Sequence, residues 1–480
     1  MRDNEELVKH SSRLTRRQAL TAAVGTPLAL VAGGQFASAA DPQPNIVFIL
    51  ADDMGYADLS CYGRRDFTTP RIDRLAAQGI KFTQAYANSA VCTATRTALI
   101  TGRYQYRLPV GLEEPLATGG RRNVGLPPEH PTLPSLLKKA GYGTALVGKW
   151  HLGRLPDYGP LQSGYDHFWG FRSGALDYFT HKSGPADTDS DDLWEDDVKI
   201  HQTGYLTDLL GGRAVSVIHD YAQAKRPFFL SLHFNDPHWP WEAPDDEAES
   251  QRIKSLSDFD GGSLKTYGRM VMQLDLQVGR VLDALDAAGI ANNTVVIFTS
   301  DNGGERFSDT WPFTGKKTDL LEGGLRIPAL ARWPGHIRPG STTQQVAISM
   351  DWVATLLAMA GAKADPAYPL DGISLVPALT GNAAPVPRKL FWRYRFNAQR
   401  AVRDGDMKWL QINGNTFLFD VVADPLERAN LKDRQPEVYR KLVNEYEDWN
   451  ATMLPEDPTA NSGPLGYSNQ LADRPGITRK

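Results

Sequence analysis

Four short apolar runs, each spilling into a polar cluster, constrain this chain more than any other feature. NIVFIL (Asn45–Leu50) runs into Asp52 and Asp53, TALVG (Thr144–Gly148) into Lys149 and His151, FFLSLHF (Phe228–Phe234) into NDPHW with His238, and TVVIFTS (Thr294–Ser300) into Asp301 and Asn302. Their β-branched and aromatic composition suits strands buried on both faces. Between them lie helical patterns: RIDRLAAQG, stopping at Gly79, then TLPSLLKKAGYG, then MVMQLDLQVGRVLDALDAAGI, whose apolar residues recur at three and four. This alternation predicts an α/β fold, a large, mostly parallel sheet with helices on both faces.

Near Pro369 the texture changes. Leu390–Trp392, Ala401–Arg403, Lys408–Ile412 and Thr416–Phe419 have the pattern of short antiparallel strands, and QPEVYRKLVNEYEDWNATM follows as an amphipathic helix. The predicted organisation is a leader over 1–40, a catalytic domain over 41–368, and a small C-terminal α+β subdomain with its tail over 369–480. The acidic stretch from Ser183 to Asp197, with DTDSDDLWEDD at its core, is expected to be an exposed insertion; its spacing misses the EF-hand pattern. The Pro-, Gly- and Asn-rich end after Leu454 is expected to be a surface tail or loop.

The leader has the paired Arg16 and Arg17, a mildly apolar middle broken by Gly25 and Pro27, and small residues Ala37-Ser38-Ala39. That is the pattern of a twin-arginine export signal, which implies the twin-arginine machinery as a partner and a periplasmic or extracellular destination. Its removal takes five basic and three acidic residues and moves the formal charge from -4 to -6. A mildly acidic chain without a basic tract has no electrostatic footprint for nucleic acid. No apolar run reaches membrane-spanning length, so no membrane span is expected in the mature form.

Asp52, Asp53, Asp301 and Asn302 fall at strand ends, where open α/β sheets bind ligands. Three carboxylates and an amide converging there call for a cation, and oxygen-only ligands select a hard divalent ion: calcium first, magnesium second. Asp, Asn and Gly are also ordinary turn residues, so the pairing of two such clusters carries the argument. Lys149, His151, His238 and the Lys316-Lys317 pair before a Gly-Gly turn are weak signals singly. A metal site that lacks any other base, acid or anion clamp gives them weight.

The stretch VCTATRTALITGRY adds the decisive pattern. Cys92-Thr-Ala-Thr-Arg96 followed by Thr101-Gly-Arg103 resembles the signature of the type I, formylglycine-dependent sulfatases. The resemblance continues through DDMGYADLSCYG, TTPRIDRLAAQGIKFTQAYA, GYGTALVGKWHLG, DNGG and EGGLRIP, from Asn45 to about Pro328. Ala94 stands where that family most often has proline. The resemblance implies an alkaline-phosphatase-like fold and a Cys92 oxidised by a maturation enzyme to formylglycine, whose hydrate is the nucleophile on a sulfated small molecule or glycan. It further implies Asp52, Asp53, Asp301, Asn302 and an oxygen of modified Cys92 as metal ligands, and Arg96 as the residue fixing the modified side chain. Lys149 and Lys317 would hold sulfate oxygens, with Lys317 preferred to Lys316 by its spacing to Glu322. His151 would take a proton from the hydrate and His238 would protonate the leaving oxygen.

Two other classes stay open at this stage. One is a phosphonate or phosphate monoester hydrolase of the same superfamily. The other is a non-catalytic sulfoglycan-binding protein whose Cys92 stays a thiol or bridges Cys61. Tyr178-Phe179 and Trp239-Pro240-Trp241 could stack on a sugar or aryl ring or could pack locally.

Overall fold

The computed structural model describes residues 43–463 except 118–119, 185–189, 254–255, 257–260 and 382–383. The segment expected to be an export leader therefore lies outside the described residues. In chain order the strands are β1 (Asn45–Ala51), β2 (Ile80–Phe82), β3 (Ala85–Tyr86), β4 (Gly143–Lys149), β5 (His167–Phe171), β6 (Trp194–Glu195), β7 (Val198–Lys199), β8 (Phe228–His233), β9 (Thr294–Ser300), β10 (Ala329–Arg332), β11 (Ser341–Thr343) and β12 (Ala347–Ile348). Ten of them form one sheet in the order β11-β2-β10-β9-β1-β8-β4-β5-β6-β7. The five from β9 to β5 are parallel, and β10, β6 and β7 run antiparallel to their neighbours.

The period-2 alternation of a strand explains how this sheet acquires two cores. From β1, Val47, Ile49 and Ala51 face a cluster that takes in Ile72 and Leu75 together with Leu206, Leu210, Val271 and Leu274 of two long helices, Leu206–Ala224 and Leu264–Ala287. Ile46, Phe48 and Leu50 face the other side, against Leu133, Leu136, Trp352 and Val353. Strands buried on both faces thus read as continuous apolar runs, as the four runs in the sequence do.

The four parallel strands that carry polar clusters end together. Ala51 pairs with Ser300, and Leu50 and Gly148 both pair with His233. Asp52, Lys149, Phe234 and Asp301 therefore leave the sheet at one level.

The C-terminal strands β13 (Lys389–Tyr394), β14 (Gln399–Asp404), β15 (Met407–Ile412) and β16 (Asn415–Asp420) form an antiparallel meander. One face carries the helix Pro436–Asn450 through Val402, Trp409, Leu418, Leu442 and Tyr446. The other packs Leu390, Trp392, Ala401 and Leu410 on Tyr86, Ala94 and Ala98. The helix Cys92–Thr101 is thereby covered on two sides: Ala94 and Ala98 meet the small sheet, while Leu99 and Ile100 meet the core of the large one. All ten of its residues are buried, which is why its sequence is built from small residues.

A charged network also joins the two sheets. Lys408 Nζ on β15 donates to Glu322 Oε1 and to Glu427 Oε1, both at 2.9 Å, with no side-chain exposure at any of the three. Glu322 Oε2 accepts from Tyr86 Oη at 2.6 Å and Arg326 Nε at 2.7 Å.

The segment expected to be an exposed acidic insertion differs. Its first part includes residues 185–189, outside the description, but Trp194–Glu195 and Val198–Lys199 complete the edge of the large sheet, and Leu193 is buried. Leu193 and Trp194 supply apolar anchors that the surrounding acidic residues mask in the sequence. The two cysteines are both free, which overturns the bridged alternative.

Removing one partner of a buried ion network leaves an uncompensated charge, so Lys408→Met is expected to lower the unfolding free energy by about 3–5 kcal/mol. Denaturant titration checks this; a loss under about 1 kcal/mol would mean that the network contributes nothing. Burial alone would raise the Glu322 pKa, but Lys408, Arg326 and Arg403 hold it below its ordinary 4.5. Its stabilisation is present above that value and is lost as the pH falls toward the depressed folded value, a loss that the Glu322→Gln variant should not show.

Candidate active site

The carboxyl edge of the parallel strands gathers every residue expected in the site. Asp52 and Asp53 follow β1, Lys149 ends β4 with His151 two residues on, His238 follows β8, and Asp301 and Asn302 follow β9. Cys92 and Arg96 come from the buried helix and Lys317 from the loop before Glu322. All ten are buried, none more than 3 % exposed.

Charge pairing sets the geometry. Lys149 Nζ donates to Asp52 Oδ2 at 2.5 Å, and Lys317 Nζ donates to Asp53 Oδ2 at 2.6 Å. Arg96 places Nε and Nη2 on Asp301 Oδ2 at 3.1 and 2.9 Å, while Asp301 Oδ1 accepts from the Asp53 backbone N–H at 3.2 Å. Asn302 Nδ2 donates to Asp53 Oδ1 at 2.7 Å. The Lys316 backbone N–H is instead engaged with Asp319, and Lys317 is the lysine that reaches the carboxylates.

Asp53 and His151 have φ of +66° and +57°, in the left-handed region that non-glycine residues rarely adopt. The DNGG turn holds its place by direct backbone approach: a Cβ on Gly303 would stand 2.1 Å from the Gly323 carbonyl oxygen. Only glycine there lets the DNGG and EGG turns touch.

Two buried oxygens, Asp52 Oδ1 and Asn302 Oδ1, have no hydrogen-bond partner. Buried polar atoms are ordinarily satisfied, and unpartnered carboxylate and amide oxygens beside two further carboxylates fit a hard cation. One ligand atom each of Asp52, Asp53 and His238 can be chosen within 4.8 Å of one another. His238 Nε2 itself is 3.5 Å from Asp53 Oδ2.

A cavity of about 140 Å³ opens beside this cluster, lined by Cys92, His151, His238, Lys317, Leu116 and Trp239 among others. Burial pushes the Cys92 thiol pKa up against the pull of Lys149 and Lys317, so the thiol itself is a poor nucleophile here. The two histidines hold opposite tautomers. His151 Nε2–H donates to the Leu116 carbonyl at 2.8 Å and leaves Nδ1 without a partner, whereas His238 Nδ1–H donates to the Trp239 carbonyl at 2.6 Å and leaves Nε2 toward Asp53.

Part of the wall was not legible in the sequence. Asn461, from the segment expected to be a surface tail, lines the cavity and donates from Nδ2 to the Pro115 carbonyl at 2.7 Å. Gly174 lies over His151, where a Cβ would come within 2.6 Å of the ring. Neither residue carries a motif that would signal its position. Of the aromatic candidates, Tyr178 stacks on Tyr205 at 5.2 Å and Trp241 packs edge-on to Phe307 at 4.8 Å, while Trp239 alone of these lines the cavity.

An α/β sheet with cations and oxygen donors set around a cavity at its carboxyl edge is suited to chemistry on an anionic ester. Comparison with known proteins narrows the class: residues 44–362 match the Sulfatase family, and 313–451 match the C-terminal region of N-sulphoglucosamine sulphohydrolase. N-acetylgalactosamine-6-sulfatase of Mus musculus is 35 % identical over 413 residues, 81 % of this chain and 76 % of that protein. Arylsulfatase A of Homo sapiens is 32 % identical over 449 residues, 85 % of this chain and 82 % of that protein. The crystal structure of Ps i-CgsB superposes with a TM-score of 0.79 at 30 % identity, covering 90 % of this chain and 99 % of that one. The chain belongs to the sulfatase family, and it is a sulfuric ester hydrolase.

Burial first, and then Lys149 for His151 and Lys317 for His238, pull both imidazole pKa values well below the usual 6.5. Nitrogen-15 NMR of histidine-labelled protein should therefore show two neutral rings of opposite tautomer that do not charge as the pH falls to about 5.5, where an ordinary histidine is mostly protonated. Titration of either ring near 6.5 would contradict the buried geometry.

Proposed function

We propose that the protein hydrolyses sulfate esters of a carbohydrate or aryl alcohol at the cavity beside Cys92, through formylglycine made from that cysteine and with one divalent cation, calcium in first place. The observation that carries this is the position of Cys92: at the first turn of a fully buried helix, facing the cavity with Lys317, His151 and His238 around it, and close enough to Asp52 and Asp301 for their charges to act on its thiol. Conversion of Cys92 requires a maturation enzyme as partner. The Arg16-Arg17 leader supports export to the periplasm or beyond. Among the described residues no helix is long and apolar enough to cross a membrane.

A sulfate ester repels nucleophiles with its own charge, so the site must concentrate positive charge where negative charge develops. Asp52, Asp53, Asp301 and Asn302 would hold the cation, joined by an oxygen of modified Cys92. When bound, the ion polarises the sulfuryl oxygens and acidifies the attacking hydroxyl. The modified side chain, hydrated, supplies two hydroxyls on one carbon, one to attack sulfur and one whose deprotonation restores the aldehyde as sulfate departs.

The chain's own residues supply the rest. Lys149 and Lys317, held by Asp52 and Asp53, would contact sulfate oxygens, and the N-terminal end of the Cys92 helix adds to their potential. Arg96, fixed by Asp301, orients the modified side chain. His151 Nδ1 accepts the hydrate proton, since its other nitrogen is committed to Leu116. His238 Nε2 faces Asp53 and the cavity and would pass a proton to the leaving oxygen; because burial and Lys317 keep the free ring neutral, that proton must be taken up when the substrate binds.

Two experiments bear on this reading. Cys92→Ala is expected to lose sulfatase activity by several orders of magnitude, on the order of 10³ or more, while melting close to wild type, because the residue supplies covalent chemistry and little packing. Mass spectrometry of the peptide ending at Arg96, from protein made with a maturation enzyme, should show the aldehyde in place of the thiol. Near-normal turnover of an aryl sulfate by Cys92→Ala would remove the nucleophile from this position.

Exhaustive chelation should abolish activity and lower the melting temperature, and calcium or magnesium should restore both. Restoration by zinc alone would count against oxygen ligands.

A further inference from the structure

Beside the catalytic cavity lies a second, larger pocket of about 490 Å³, lined by Arg122, Arg154, Arg172 and Lys199 together with Asp191 and Asp192. We infer that this pocket receives an anionic group on a neighbouring sugar, so that the substrate is a polyanionic oligosaccharide rather than an isolated monosulfate. The inference rests on the sulfatase reading and adds to it the class of substrate.

Arg172 is the most buried of these cations, and Arg122, Arg154 and Lys199 are the ones that carry unpaired charge into the pocket. The Arg172 side chain is only 4 % exposed, and Nη2 donates to the Asp196 carbonyl and to Asp197 Oδ1, both at 2.8 Å. Nε and Nη1 are buried without a partner. Burial pulls its pKa down and Asp197 offsets this only in part. Nε and Nη1 point from opposite edges of the guanidinium, so Arg172 contributes charge to the pocket wall rather than a two-pronged clamp, with its Cζ 5.2 Å from the Phe168 ring centre and 4.7 Å from that of Trp194.

The acidic residues on the wall compensate the pocket only in part. Asp192 spends Oδ1 on the Trp194 indole N–H at 2.6 Å and Oδ2 on the Ser173 backbone N–H at 2.8 Å. Asp191 faces His201 at 3.9 Å. Among the described residues no carboxylate lies within ion-pair distance of Arg122, Arg154 or Lys199. Four cations against Asp191, Asp192 and the Asp197 paired with Arg172 leave one positive charge in excess, carried by cations without an ion-pair partner, in a protein that is acidic overall.

The pocket adjoins the catalytic cavity on two sides. Arg154 Nη2 donates to the Ala117 carbonyl at 3.1 Å, and Ala117 lines the cavity. Ser173 lines the second pocket, while Gly174 and Ala175, the next two residues, line the first. A glycan whose sulfate ester sits at Cys92 therefore has an anion-binding pocket directly beside it. A monosulfate has no second anion to place there.

Arg122 and Lys199 are exposed rim residues outside the catalytic machinery, so the double variant Arg122→Ala/Lys199→Ala is the test; Arg172→Met is the second variant, with circular dichroism to check its fold. Calorimetry on the full matured enzyme measures binding of a κ-carrageenan hexasaccharide, whose anions are sulfates only, and of a chondroitin 6-sulfate hexasaccharide, which adds carboxylates. Each variant is expected to weaken binding about tenfold and to reduce its salt dependence, with kcat/KM for 4-nitrophenyl sulfate within about twofold of wild type. Loss confined to the chondroitin arm identifies the bound anion as a carboxylate; loss in the carrageenan arm identifies it as a sulfate. Unchanged affinity in the variants, wild-type binding of neither oligosaccharide, or a parallel fall in aryl sulfate turnover would overturn the inference. Wild type that binds the oligosaccharides through these residues yet cleaves no sulfate ester would instead overturn the catalytic reading and leave this one standing.

Discussion

Three carboxylates, Asp52, Asp53 and Asp301, sit at one end of a sheet with no solvent exposure, and much else in the molecule answers to that fact. Burying a charge is costly unless it is paired. Each carboxylate is met by a cation from a different part of the chain: Lys149 from β4, Lys317 from the loop before the EGG turn, Arg96 from the buried helix. The compensation is incomplete by design of the donors. Asp52 Oδ1, 3.6 Å from Arg96 Nη2, and Asn302 Oδ1 have no hydrogen-bond partner, and Asp301 is pushed up to about 6 by burial and by Asp52, against the pull of Arg96 and Lys149. A site that gathers this much unbalanced oxygen is suited to hold a cation and, through its lysines, an anion beside it.

Holding such a site rigid requires support from outside the main sheet. The small C-terminal sheet covers the helix that carries Cys92 and Arg96, so that a helix of modest length has packing on two faces. The Glu322–Lys408–Glu427 contact ties that sheet to the EGG turn, and the EGG turn touches the DNGG turn through glycine backbone. A continuous set of contacts thus runs from β15 to Asp301 and Asn302. The C-terminal region also sends Asn461 into the cavity wall, which makes it part of the site as well as its support.

Most of the buried polar cluster was legible in the sequence because its residues follow strands. A strand leaves a compact signal, an apolar run of five to seven residues, and what comes directly after it falls at the carboxyl edge of a parallel sheet. The Cys92–Arg96 motif added two residues through its resemblance to a family rather than through strand order. Trp239 could be singled out as aromatic but not separated from Tyr178 and Trp241, since three rings of similar composition differ only in which neighbours they meet.

By itself the sequence determined the parallel α/β architecture, the set of residues at its carboxyl edge and the family, because each depends on order along the chain: apolar run, polar cluster, motif. Only the tertiary structure decided which oxygens stay unpartnered, which tautomer each histidine holds, that both cysteines are free, and that the acidic stretch ends in strands bordering a basic pocket. These depend on groups far apart in the chain, such as Asn461 against Pro115 or Lys408 against Glu322, and on the close approach of backbones, which no local pattern of residues encodes.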